Sequence, residues 1–364
     1  MVSSVRVLVC EMALIGLRRD KPSGPGGLLV GLGGPLLVSA AVTLAAWLML
    51  QGTGGTTNDI VILFGINALM VVGFQAFVGN TGIVSFGHVA FMALGAYAAG
   101  IVSVPISMKA VVLPNLPQFL RQTELPIFWS LIVGGAVAAL VALGIGLVIM
   151  RLSGAAASIA TLGLLVIVNN VLNQAHSITR GPQALFGVPQ AATFPWVFGS
   201  LIAVVLLSSW LKWSGLGLRA RSVRDDPIAA EASGVRRLPA RLWPFVLSAF
   251  ITGIGGALYA EDISAFSPNS FFVAQIVGVL VMSIIGGLNS ISGSLVGAAL
   301  ISMLAEVLRR LEAGFTIGPI DVHGAVGISE AVFGVALILM LRWRPAGLLG
   351  ALELEVDPRP RAGS

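Results

Sequence analysis

The chain has 364 residues, 56% of them hydrophobic and only 10% charged, and its mean hydropathy is +0.96. A soluble domain carries about 25% charged residues because a water-facing surface needs them, so most of this chain has lipid as its solvent. One cysteine, Cys10, excludes a disulfide framework or thiolate cluster, and a net charge of +5 whose bearers sit in loops and ends reads as topology rather than nucleic-acid binding.

The first 20 residues make a poor signal peptide, because their apolar run is short and Glu11 interrupts it. Residues 1–27 therefore read as a cytoplasmic N-terminal extension. A spanning helix needs about 20 largely apolar residues. Ten such segments follow: Leu28–Leu50, Ile60–Val78, Ile83–Val104, Phe128–Met150, Ala155–Leu172, Trp196–Leu211, Pro244–Ala260, Phe272–Leu288, Ile291–Leu308 and Gly324–Leu341. Ile60–Met108 and Ile263–Ala305 contain no charge, and each reads as two spans broken by a Gly/Asn turn, at Gly79–Gly82 and at Gly286–Asn289. The third, fifth, seventh and ninth segments are the weakest, being short or rich in glycine and polar residues.

With the N-terminus inside and ten alternating spans, all but five of the 21 Lys and Arg fall on the cytoplasmic side, the five being Lys109, Arg121, Arg180, Arg309 and Arg310. Positive residues favour the cytoplasm, so both termini and the loop 212–243 are placed inside and the Pro-rich loops 105–127 and 173–195 outside. The polar tail 351–364 reads as a disordered cytoplasmic end. The expectation is an all-α polytopic membrane protein with about ten transmembrane helices, some short or broken, spanning residues 28–350.

The basic loop RARSVRDDPIAAEASGVRR is the most informative segment. Asp226 suits a helix N-cap and Pro227 the first helical position. Ile228–Ser233 follow as a short helix, and Gly234 supplies a left-handed stop. A lone two-turn helix is unstable in water, so it needs a surface to dock on. Two readings stand: a coupling helix inserted into a partner ATPase, or a solvated loop whose arginines set topology.

In GNTGIVSFGHVAFMALGAYAAG, Gly79–Gly100, small residues permit close helix contact, and Ser85 and His88, three apart, are expected on one helix face. Asn169, Asn170, Asn173, Gln174 and His176 end the fifth segment; Asn67, Gln75 and Gln275 are isolated amides within spans. Gln75, Ser85, His88, Asn169, Asn170 and Gln275 are the candidate translocation path. The plainer alternatives are a buried structural histidine, a wetted helix end and interhelical hydrogen bonds.

Absences narrow the function. No G-x-x-x-x-G-K-[ST] occurs, so the chain has no P-loop of its own. Glu261, Asp262, Glu306 and Glu330 lie towards outer ends of spans, and no acidic group is expected at mid-depth, where proton- or voltage-driven carriers keep one. His88, His176 and His323 share no ligand spacing, so no metal site is expected. What remains is a pore driven by a separate engine, a stand-alone channel or secondary carrier for a small neutral solute, or a membrane scaffold without transport.

From about Asn67 to Leu349 the chain resembles the M-type permease subunit of branched-chain amino acid ABC transporters. The stretches that carry the likeness are GNTGIVSFGHVAFMALGAY, RLSG with IATLGL, ITRGPQALFGVP, RARSVRDDPIAAEASGV, IGGLNSISGSLVGAAL and RWRPAGLLG, in that order. The resemblance implies an ABC importer permease architecture in the cell inner membrane. It implies as partners two ABC ATPase subunits, a second permease subunit and a periplasmic substrate-binding protein. Alternating access would then be driven by ATP and Mg held on the ATPases, with no enzyme activity and no cofactor in this chain. The ATPase-coupling residues it implies are Asp225, Asp226, Pro227, Ala229, Ala230, Glu231 and Gly234. The solutes it implies are branched-chain amino acids or related small polar molecules such as urea and amides. The chain departs from the family pattern at Ala155–Ala157 and at Thr179-Arg180-Gly181, both beside the fifth segment and its external loop.

Overall fold

In lipid every backbone N–H and C=O must be satisfied within the protein, which leaves an apolar chain of this kind to cross as helices. The computed structural model describes residues 25–52, 55–312, 315–317, 320–322, 327–344, 347–348 and 350. Cys10, His323, the extension up to residue 24 and the tail 351–364 lie outside the described residues.

Each of the ten expected spans coincides with a helix: α1 Pro25–Gly52, α2 Gly55–Thr81, α3 His88–Ser103, α6 Ile127–Ile149, α7 Ala155–Gln174, α9 Phe194–Trp213, α12 Arg237–Ile263, α13 Val273–Gly286, α14 Ile291–Glu312 and α15 Ile328–Trp343. Among the described residues seven helices are long and apolar enough to cross a membrane singly. Helix α3 and α4, Ile106–Val112, pass the same test only when taken together, and they are bent by 120° at the break between them. Gly33–Leu48 and Ala331–Trp343 are shorter apolar helices. Pro244 lies inside α12, where it removes one backbone donor, yet the helix extends seven residues before it. Glycine-mediated packing against three neighbours holds that helix together.

Helix α12 is the central post, packed against α2, α3 and α6. The reason is glycine. A Cβ on Gly256 would run into the carbonyl oxygen of Met92 in α3, one on Gly95 would meet the backbone of Gly253, and one on Gly134 of α6 would lie 2.9 Å from the Gly95 carbonyl oxygen. Backbones this close are possible only without side chains between them, and close approach is the main source of helix affinity in lipid, where the hydrophobic effect is absent. A second glycine contact joins α13 to α14, with Gly286, Gly293 and Gly297 facing one another across the Gly287 turn at φ +118°.

Three expectations change. Helix α2 runs on through Thr81, so the break falls at Gly82 (φ +70°) rather than across Gly79–Gly82. The third span starts at His88, not Ile83, because residues 82–87 are held outside the helix by side-chain hydrogen bonds. Thr81 Oγ1 accepts from the Ile83 amide, Thr161 Oγ1 from Phe86 N at 3.1 Å and Ser85 Oγ from Gly87 N. Ser85 therefore precedes the helix and does not share a helical face with His88. Residues 315–317 and 320–322 form a two-stranded antiparallel hairpin that the apolar pattern did not suggest.

The loop 105–127 is ordered around one charge. Lys109 of α4 is fully buried, and its ammonium donates to the carbonyls of Leu120 and Thr123. It thereby staples the short helix α5, Gln118–Arg121, back onto α4.

Candidate functional site

At the basic end of the bundle, residues 212–243 are more structured than a loop. Ser214 caps helix α10, Gly215–Asp225, with its hydroxyl accepting from Gly217 N. The sequence pattern missed this helix because only Ala220, Val223 and Gly217 turn inward, too narrow an apolar stripe to stand out among arginines. The short helix expected next is present as α11, Pro227–Ala232. Asp226 Oδ1 accepts from the amides of Ile228 and Ala229 at 2.9 and 3.0 Å, Pro227 occupies the first turn, and Gly234 turns the chain at φ +82°. Such a cap contributes about 1 kcal/mol.

Helix α11 is fastened on one side only. Ala230 is buried against Val223, Ala240 and Val235, and Arg237 bonds Glu231 at 2.9 Å. Asp225, Asp226, Ala229, Glu231 and Gly234 are exposed and Pro227 is half-buried. The side chain of Ile228 is 76% exposed. Of the residues implied by resemblance, Ala230 thus faces the protein's own interior, while Ile228, absent from that set, projects outward. Helical spacing could have flagged it, since Ile228 lies two positions from Ala230 and so off its face.

Two arginines of α10 join this element to both halves of the bundle. Arg224 donates to the Gly79 carbonyl at 2.6 Å and to Asn289 Oδ1 at 3.3 Å, Arg221 donates to Asn80 Oδ1, and Lys212 to the Asn289 carbonyl at 2.8 Å. Burial holds the Arg221 guanidinium below its ordinary pKa, and the nearby Arg224 charge pushes the same way while Asp225 opposes. The end of α2 and the α13–α14 turn therefore meet at one cluster beneath α10. A charge-assisted bond contributes about 1.5–3 kcal/mol. Arg224→Ala is expected to speed hydrogen exchange of residues 79–87 and 215–232 about tenfold or more, whereas Arg219→Ala, exposed on the same helix, leaves both segments unchanged.

The structure sorts the six candidate path residues. Gln75, Ser85 and His88 are buried in the packed interior. His88 sits among the rings of Phe74, Phe77, Phe91 and Phe245, with Nε2 at 2.9 Å from Ser248 Oγ and no hydrogen-bond partner for Nδ1. Asn169 ties α7 to the turn at Pro268, donating to its carbonyl at 3.0 Å, and Asn173 donates back to Asn169. Asn170 is exposed, and Gln275 is half-buried beside Met92. These positions do not converge on one cavity. Arg180, at one departure from the family pattern, lies 4.5 Å over the Phe186 ring in a left-handed turn at φ 66°.

A hollow lies at the opposite end from the arginines. It is a cavity of about 960 Å³ between the ends of α2, α9, α12 and α14, lined by carboxylates of Asp59, Glu261, Asp262 and Glu306 and by Arg309. Sequence reading placed the acidic residues near span ends but had no means of bringing four helices' termini to one chamber. Among the described residues no group of His, Cys, Asp and Glu is arranged to hold a metal ion.

Comparison with known proteins places this geometry. The family model described as "Branched-chain amino acid transport system / permease component" matches residues 56–341. The chain is 26% identical to the high-affinity branched-chain amino acid transport system permease protein LivM of Escherichia coli (strain K12), covering 90% of this chain and 79% of that one. It is 25% identical to the ribose import permease protein RbsC of Haemophilus influenzae, over 68% of this chain and 75% of that protein. It is 35% identical to the nucleoside ABC transporter permease protein NupC of Lactococcus lactis subsp. cremoris, over 31% and 35%. No solved structure matches it. A family match over residues 56–341, which take in the capped helix and every span after α1, makes this protein a multi-pass membrane permease component of the branched-chain amino acid transport family.

Proposed function

We propose that the chain is the substrate-translocating subunit of an ATP-driven importer in the inner membrane, with residues 212–243 and both termini cytoplasmic. The solutes are branched-chain amino acids or related small polar molecules. The observation that carries this reading is the capped helix α11, which presents Ile228 at 76% exposure at the arginine-rich end of a chain without a P-loop. We read this apolar side chain, held out on a capped helix between charged groups, as the knob that docks on the ATPase. The ATPases, a second permease and a soluble substrate-binding protein complete the machine. Relatives with printed names for branched-chain amino acid, ribose and nucleoside transport support a solute class of small polar molecules.

Motion of the ATPases would be passed to the bundle through Arg221 and Arg224, which hold α10 to Asn80, Gly79 and Asn289. Of the path residues, Asn170 and Gln275 are reachable in this conformation. Gln75, Ser85 and His88 would reach the path only in a second state in which α3 parts from α12. Such a switch needs differential binding of the two states by the partners. Uptake of radiolabelled leucine in cells lacking the cognate ATPase is expected to fall to background and to return on complementation. Uptake that persists without any ATPase overturns the reading and leaves a stand-alone carrier.

A further inference from the structure

We propose that the cavity at the end opposite the arginines receives the primary ammonium group of an incoming solute on the carboxylates of Glu261 and Asp262. The inference rests on the permease reading, which makes this end the entrance.

Glu261 is only 1% exposed, and its Oε1 accepts from the Ser130 hydroxyl. Its Oε2 is buried with no hydrogen-bond partner among the described residues. A buried carboxylate oxygen left without a donor is expensive, because its hydration is lost and nothing replaces it. Asp59 and Asp262 add the same charge to the wall. The cation of the lining, Arg309, is turned to Glu306, which it grips at 2.8 and 3.0 Å. Ser302 Oγ is a further lining atom buried without a partner. Among the charged groups of the described lining, four carboxylates therefore outnumber one guanidinium that is already engaged. An ammonium group offers three N–H donors, a positive charge and no acceptor, which complements that excess. Ile62, Leu63 and Phe64 form an apolar wall suited to an aliphatic side chain, and a cavity of about 960 Å³ has room for the whole solute. The external loop closes the rim, where Gln190 Nε2 donates to the Asp262 carbonyl and Ala192 N to that of Glu261.

The test is calorimetric binding to the full-length chain in lipid nanodiscs, with two halves of leucine as probes: 3-methylbutylamine, which keeps the ammonium, and 4-methylpentanoate, which keeps the carboxylate. The amine is expected to bind at least tenfold more tightly than the acid, and Glu261→Gln to weaken it at least tenfold. Asp262→Asn, which leaves the Ser130–Glu261 contact in place, serves if the first variant does not fold and is expected to weaken the amine as well. Equal affinity for amine and acid overturns the proposal. So do displacement of the amine by equimolar sodium, unchanged affinity in the folded variants, and absence of amine binding up to its solubility. ATP-dependent leucine uptake measured alongside separates the two ideas. Uptake without an amine site leaves the permease reading standing, whereas an amine site without ATP-dependent uptake sinks that reading instead.

Discussion

Replacing Ile228 with aspartate is expected to abolish ATPase co-purification and to cut leucine uptake at least tenfold, with the amount of protein in the membrane unchanged. The side chain is 76% exposed, so little of it is packed against its own chain. Seated in a partner groove it would contribute about 1.5–3 kcal/mol, and a carboxylate put there instead would be buried without a donor. A loss of about 3 kcal/mol is roughly a hundredfold in affinity. Arg219→Ala, exposed on the neighbouring helix α10, is the control and should co-purify normally. Ala230→Arg is a different experiment, because Ala230 packs on Val223 and Ala240. It would eject α11 from its seat and so report on local folding. Normal uptake by the Ile228→Asp protein would remove α11 as the point where the ATPase engages.

The second large effect is internal. Gly256→Ala is expected to leave no folded protein after detergent extraction, or to lower its thermal survival sharply. The added methyl collides with the Met92 carbonyl oxygen, which belongs to helix backbone and has no rotamer to turn away. Overpacking a yielding core costs about 1–3 kcal/mol, and here three helices share the contact, so neighbours at Gly95, Gly253 and Gly134 are displaced together. Gly144→Ala is the matched control, since nothing lies within 4 Å of a Cβ there. The readout is the fraction of monodisperse protein by size exclusion after a heating series. Equal survival of the two variants would show that the glycine seam does not hold α12 against α3.

The helical pattern was legible because lipid makes the rule strict. A run without charge, such as Ile60–Met108, has to satisfy its backbone within the protein, and it does so as helix on either side of residues 82–87. The capped helix Pro227–Ala232 was legible for a local reason. Asp226, Pro227 and Gly234 each act on their own backbone within a few residues, so tertiary packing was not needed to read them. The start of α3 was not legible, because the non-helical stretch 82–87 is held by Thr161, whose hydroxyl comes from 75 residues away. Helix α10 escaped notice for a related reason. Its arginines look solvated in the sequence, whereas Arg221 and Arg224 find acceptors at Asn80, Gly79 and Asn289.

By itself the sequence determined that this is a polytopic helical membrane protein whose residues contain no P-loop motif, and that a short helix punctuates its basic loop. Those conclusions need only composition, charge and caps, which act locally or through the solvent. Which face of that helix is free, which glycines touch and which carboxylates share a chamber were decided only by the tertiary structure. Each depends on where helices distant in the chain cross. Crossing positions are set by backbone contacts at Gly95, Gly134, Gly253 and Gly256, whose partners no spacing in the sequence specifies.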